Sequence, residues 1–130
     1  MPILAKYQLA LTLARQDIFS TGDEPYQSTN ALIELRNAIA HPKEIWGSHR
    51  NQQRLERCLN GRYKFGPQQA HCKEFFPDRC LTADCAVWAA KSAARFTIDF
   101  KRRLPPTAYI FGPTNSIEHA ILKRLNQIAR

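Results

Sequence analysis

Arg36, Asn37 and His41 lie close together in the run Leu35-Arg36-Asn37-Ala38-Ile39-Ala40-His41-Pro42. On a helix this run brings a permanent cation, an amide and an imidazole within about a turn and a half. A guanidinium grips a phosphate through paired N–H donors, an amide orients its neighbours, and an imidazole moves protons near neutral pH. Together these groups suit cleavage of a phosphodiester without a metal ion. The helix carrying them has a core side of Leu32, Leu35 and Ile39, with Arg36 at its margin. Asn37 and His41, four residues apart, share a side that points largely away from that core. A plainer reading of His41 stands beside this one: a cation-bearing residue in a helix's last turn, with Pro42 as the stop signal.

Five segments must position these groups. Leu4, Tyr7, Leu11, Ala14 and Ile18 recur at helical steps and predict a first helix ending near Ser20-Thr21-Gly22. Ser28, Thr29 and Asn30 are competent N-caps for the motif helix, which stops at His41-Pro42. A third helix opens near Ser48 and closes at Asn60-Gly61. From Arg62 to Leu81, Gly66, Pro67 and Pro77 break the pattern, which reads as a long loop with at most one helical turn. Thr82 caps the longest helix, which runs to about Leu104 with Cys85, Ala89, Ser92, Phe96 and Phe100 along one face and Pro105-Pro106 as its stop. After a Tyr109-Ile110-Phe111 patch and Gly112-Pro113, a last helix runs from about Ser116 with Ile117, Ile121, Leu125 and Ile128 on one side. The expectation is an all-α bundle of four to five helices forming a single domain over residues 1–130.

The chain carries a net charge of +8, which favours polyanionic partners such as nucleic acid or an acidic protein. Arg50, Arg54 and Arg57 form one stripe on the third helix, extended by Arg62 and Lys64. The stripe reads either as an RNA phosphate track or as a solvated face diluted by Glu56. Lys101-Arg102-Arg103 falls where cations favour a helix C-terminus. Trp46 and Trp88 could stack on bases, although Trp88 also fits a core position beside Phe96. No spacing gives His49, His71 or His119 a partner. Cys58, Cys72, Cys80 and Cys85, even with His71 added, match no metal-ligand spacing and read as reduced, mostly buried thiols. No metal or cofactor is expected. The absence of a secretory signal or an apolar stretch of membrane-spanning length predicts a cytoplasmic protein without a membrane partner.

The Arg36-Asn37-x-x-x-His41 run, the apolar residues before it, Pro42 after it and the long helix from Thr82 resemble the HEPN superfamily of α-helical domains. The active members of that superfamily are ribonucleases. The resemblance implies that Arg36 and His41 are the catalytic pair, with Asn37 as the polar residue following the arginine. It implies metal-independent attack of a ribose 2′-OH on its own phosphate. It also implies a homodimer that pairs two motifs, and a setting in toxin or defence biology with a cognate antitoxin or regulatory protein. Toxins of the toxin–nucleotidyltransferase pairs carry a Tyr two residues after the histidine, where this chain has Lys43, so regulation by nucleotide transfer is not expected. The alternatives are a non-catalytic HEPN-like module that binds RNA, a nucleotide or a protein, and a basic helical adaptor with no tie to the family.

Overall fold

The computed structural model describes residues 1–71, 74–106, 120–121 and 123–127. They form helices α1 (Ile3–Leu13), α2 (Tyr26–Ala40), α3 (Pro42–Ile45), α4 (His49–Leu59) and α5 (Ala83–Arg103), with no strand among the described residues. The chain is all-α. Residues 120–121 and 123–127 are also helical, within the last predicted helix. Cys72, the Tyr109-Ile110-Phe111 patch, Gly112-Pro113, Ser116, Ile117, His119 and Ile128 lie outside the described residues. No helix among the described residues is long and apolar enough to cross a membrane. The chain divides into two compact units, Met1–Thr29 with Lys91–Arg130, and Asn30–Ala90.

In the first unit, α1 ends at Leu13 rather than near Ser20 as its periodicity suggested. The reason is a helix-ending turn in which Gln16 N–H donates to Leu11 C=O at 2.9 Å and Arg15 N–H to Thr12 C=O at 3.0 Å. Arg15 takes the left-handed position of that turn, with φ 54°, where glycine is the usual occupant, so no glycine marks the stop. Tyr7 packs edge-on against Phe96 and Phe100, with ring centroids 5.0 and 4.8 Å away, and Phe19 stacks on Phe96 at 4.8 Å. Phe19 is buried in a segment without regular structure, so its main chain needs partners. Gln8 supplies both: its amide donates to Phe19 C=O at 2.8 Å, and its carbonyl accepts from Phe19 N–H at 2.9 Å.

The helix carrying the motif starts at Tyr26, earlier than the predicted caps at Ser28, Thr29 and Asn30. Glu24 accepts from Ser28 N–H at 3.3 Å, while Thr29 Oγ1 donates back to Pro25 C=O at 2.9 Å and is thereby used inside the helix. In the second unit, Ala31, Leu35 and Ala38 of α2 join Leu55 and Leu59 of α4, Cys85 of α5, and Phe75, Phe76 and Cys80 of the 62–81 segment in one buried cluster. Ser48 caps α4 by accepting from Asn51 N–H at 3.3 Å, and Thr82 Oγ1 accepts from Cys85 N–H at 3.1 Å at the start of α5. Both starts fall where the sequence predicts them.

The 62–81 segment forms no helix among its described residues, yet it supplies three buried side chains to the core. Gln52, only 4% exposed, holds it in place: Phe76 N–H donates to the Gln52 carbonyl at 2.7 Å, and the Gln52 amide donates to Phe76 C=O at 3.1 Å. Tyr63 Oη donates to Cys80 C=O at 2.9 Å, and its ring packs 5.3 Å from that of Trp88. Trp88 is therefore a half-buried partner of Tyr63, packed against the core cluster of its unit as the sequence reading placed it in the core, and in the first unit Phe96 packs with Tyr7, Phe19 and Phe100. Cys80 and Cys85 are buried thiols and Cys58 a half-buried one. Burial pushes the Cys80 thiol up to about 11, outweighing the hydrogen bond from Tyr63 that favours its thiolate.

Gln52→Ala leaves the Phe76 amide and carbonyl buried without partners. It should lower the stability of the protein by about 2 kcal/mol, measured as a shift in the urea midpoint at unchanged slope. Loss of less than about 0.5 kcal/mol would show that water reaches those groups and that the clamp is dispensable.

Candidate functional site

Pro42 determines how the motif is presented. A residue before proline is driven out of the α region, and His41 adopts φ −128° and ψ 60°. Its N–H still closes the last turn of α2 on Asn37 C=O at 2.8 Å, but the residue itself stands between helices. His41 is thus the N-cap position of α3 rather than part of the last turn of the motif helix, as the sequence reading had it, and Pro42 occupies the first turn that proline tolerates. Gly47, at φ 78°, allows the chain to turn from α3 into α4. Asn51 then ties the two helices together by donating from its side chain to Glu44 C=O at 2.8 Å.

The core side of α2 also differs from the expected one. Ile39 is 53% exposed, and the buried positions are Ala31, Leu35 and Ala38. At 100° per residue this turns the buried face by roughly 65° toward the side carrying Asn37 and His41. Those two residues consequently line a cavity of about 260 Å³ instead of pointing away from the fold. Ala38 and Leu55 contribute apolar surface to it, and Glu34, Glu44, Asn51 and Arg54 the remaining polar lining.

The same rotation carries Arg36 away. Arg36 is exposed, does not line the cavity, and donates from Nη1 to Asn37 Oδ1 at 3.0 Å. Of the expected catalytic pair, His41 therefore lines the cavity and Arg36 does not, while Asn37 lines it and bonds to Arg36. The cation that does line the cavity is Arg54, one of the three arginines of the basic stripe. It meets Glu34 at 3.5 Å, an exposed pair that holds it loosely. The His41 imidazole makes no hydrogen bond among the described residues, so both ring nitrogens remain available to a ligand.

Arg50 and Arg57 are exposed on α4, and Arg57 lines a separate cavity with Asn60 and Phe65. Glu56 does not dilute the stripe as its place in the sequence suggested, because its carboxylate faces Arg79 at 3.4 Å. Trp46 is 52% exposed, free of the core. Sequence reasoning missed Glu34, Glu44 and Asn51. Glu34 was detectable, since Glu34, Asn37 and His41 follow one another at three- and four-residue steps. Glu44 and Asn51 depend on the turn between α3 and α4, which no periodicity announces.

Chemically, the cavity offers an unencumbered imidazole, an amide, a cation and two carboxylates around an opening large enough for a sugar-phosphate unit. Comparison of the chain with protein-family models, with curated proteins and with solved structures finds no match.

Asn51→Ala should free α3 from α4 and cost about 1 kcal/mol. Its more telling effect should be on the His41 ring signals in a two-dimensional NMR spectrum, which should move and broaden, whereas a control change at the exposed Gln53, Gln53→Ala, should leave them in place. Unmoved His41 signals would mean that Asn51 does not shape the cavity.

Proposed function

We propose that this protein is a HEPN-like endoribonuclease that cleaves cytoplasmic RNA by transesterification and works as a homodimer, with a regulatory protein as its cognate partner. The observation that carries the reading is the convergence of His41, Asn37 and Arg54 on one open cavity. Neutral His41 takes the proton from a ribose 2′-OH, and the 2′-oxygen attacks the adjacent phosphorus. The bond to the 5′-oxygen breaks, that oxygen takes up a proton, and the products are a 2′,3′-cyclic phosphate and a 5′-hydroxyl. Arg54 holds the scissile phosphate once the phosphate has displaced Glu34, and Asn37 orients the sugar-phosphate.

One imidazole must otherwise both remove and deliver a proton. A two-fold axis beside α2 supplies a second imidazole from the other copy, and with it an Arg36 that can reach the cavity from outside. The exposed position of Arg36 and its bond to Asn37 suit that arrangement. The same exposure, with the Glu34–Arg54 pair across the cavity mouth, also favours a second reading: a module that binds RNA, a nucleotide or a protein partner without cleaving anything.

Cleavage separates the two. His41→Ala should abolish RNA cleavage, and Arg36→Ala and Arg54→Ala should each reduce it by at least tenfold, with the melting temperature nearly unchanged because all three side chains are exposed. If wild type cleaves and His41→Ala cleaves equally well, the site is misassigned. If wild type binds RNA without cleaving it, the binding module stands in its place. Light scattering at micromolar concentration should give the mass of a dimer, and full activity in a monomer would sink the composite site.

A further inference from the structure

The helix-dipole account of Lys101, Arg102 and Arg103 leaves one neighbouring cation unexplained. Arg95 lies two turns before the end of α5, beyond the last turn in which a helix C-terminus attracts cations. It has no hydrogen-bond or ion-pair partner among the described residues. Together with Arg102 and Arg103 it lines a cavity of about 420 Å³ in the unit that contains residues 91–130.

Two carboxylates share this lining, Glu24 and Asp99, and both are engaged. Asp99 accepts from Arg103 Nε at 3.3 Å, and Glu24 accepts from Ser28 N–H at 3.3 Å. Arg103 is a fixture of the wall: Nη1 donates to Asp17 C=O at 3.2 Å and to Ile18 C=O at 3.0 Å, and its guanidinium lies 4.3 Å from the centre of the Phe19 ring. The pairing of Asp99 with Arg103 leaves the charge of Arg95 uncompensated by the acid nearest to it on the helix. Arg95 and Arg102, seven residues apart, lie on one face of α5 about 10 Å apart along its axis. Side chains as long as arginine can converge from there on one anion or reach two successive phosphates of a flexible strand.

We infer that this cavity binds the phosphate backbone of single-stranded RNA, with Arg95 as its principal contact and Arg102 as the second. The choice of polymer rests on the RNA reading above and on the net charge of +8, while no residue of the His41 cavity takes part. The volume suits a nucleotide unit better than a bare inorganic ion, being within the usual range for ligand pockets of about 300–1,000 Å³.

The test is fluorescence anisotropy of the full-length protein with a labelled 2′-O-methyl RNA dodecamer, whose blocked 2′-oxygens prevent cleavage. Arg95→Ala should weaken binding several-fold at low salt and reduce the slope of log Kd against log salt by about 0.7, the contribution of one single-strand phosphate contact. Arg95→Glu should weaken it further, and Arg95→Lys should keep the slope. Lys6→Ala, an exposed cation outside the cavity, should leave both quantities unchanged. Equal affinity and slope for wild type and Arg95→Glu would overturn the inference, as would an equal loss with Lys6→Ala or no oligonucleotide binding by wild type. Arg95-dependent capture of anionic vesicles without RNA binding would also overturn it. The 2′-O-methyl strand cannot undergo the transesterification proposed for His41, so the outcome here is read independently of whether His41 cleaves RNA.

Discussion

Burying aromatic side chains from segments without regular structure forces the main chain to find hydrogen-bond partners away from water. The fold depends on meeting that demand. In each compact unit a glutamine on a helix meets it with one side chain: Gln8 for Phe19, and Gln52 for Phe76. A glutamine amide can donate and accept at once, which makes it a substitute for a peptide group. Gln52 satisfies the main chain of Phe76 as the 62–81 segment presents Phe75, Phe76 and Cys80 to the core cluster, to which α4 contributes Leu55 and Leu59.

The cavity itself follows from a second backbone constraint. Pro42 ends α2 at Ala40 and starts α3, so His41 is held at a joint rather than on a helical surface. Asn51 fixes the joint against α4, and α4 brings Arg54 to the same opening. The electrostatics are mixed, with Glu34 and Glu44 facing Arg54 and His41. A phosphate entering such a site must compete with Glu34 for Arg54, and the exposure of that ion pair keeps the competition cheap.

Much of the architecture was legible in the sequence because it rests on local chemistry. Ser48 and Thr82 cap the helices they were expected to cap, and Cys85, Ser92, Phe96 and Phe100 are buried along α5 as their spacing predicts. What escaped was set by tertiary contacts. Arg15 occupies a left-handed turn normally signalled by glycine, Thr29 bonds back to Pro25 instead of capping the helix, and Ile39 yields its core place to Ala31 and Ala38. That last exchange matters most for the site. Periodicity alone favours the larger apolar residues as the core, and so it turns the helix the wrong way, toward Arg36. The motif residues were identifiable by type, whereas their separation into a cavity pair, Asn37 and His41, and an outer cation, Arg36, required the packing of α2.

The central claim is that His41 cleaves RNA through the ribose 2′-oxygen, and the chemistry of the cut ends tests it most directly. Purified protein incubated with mixed RNA in EDTA should yield fragments with 2′,3′-cyclic phosphate and 5′-hydroxyl termini, identified by mass spectrometry of the ends. Fragments with 3′-hydroxyl and 5′-phosphate termini, or intact RNA after prolonged incubation with the folded protein, would contradict the account.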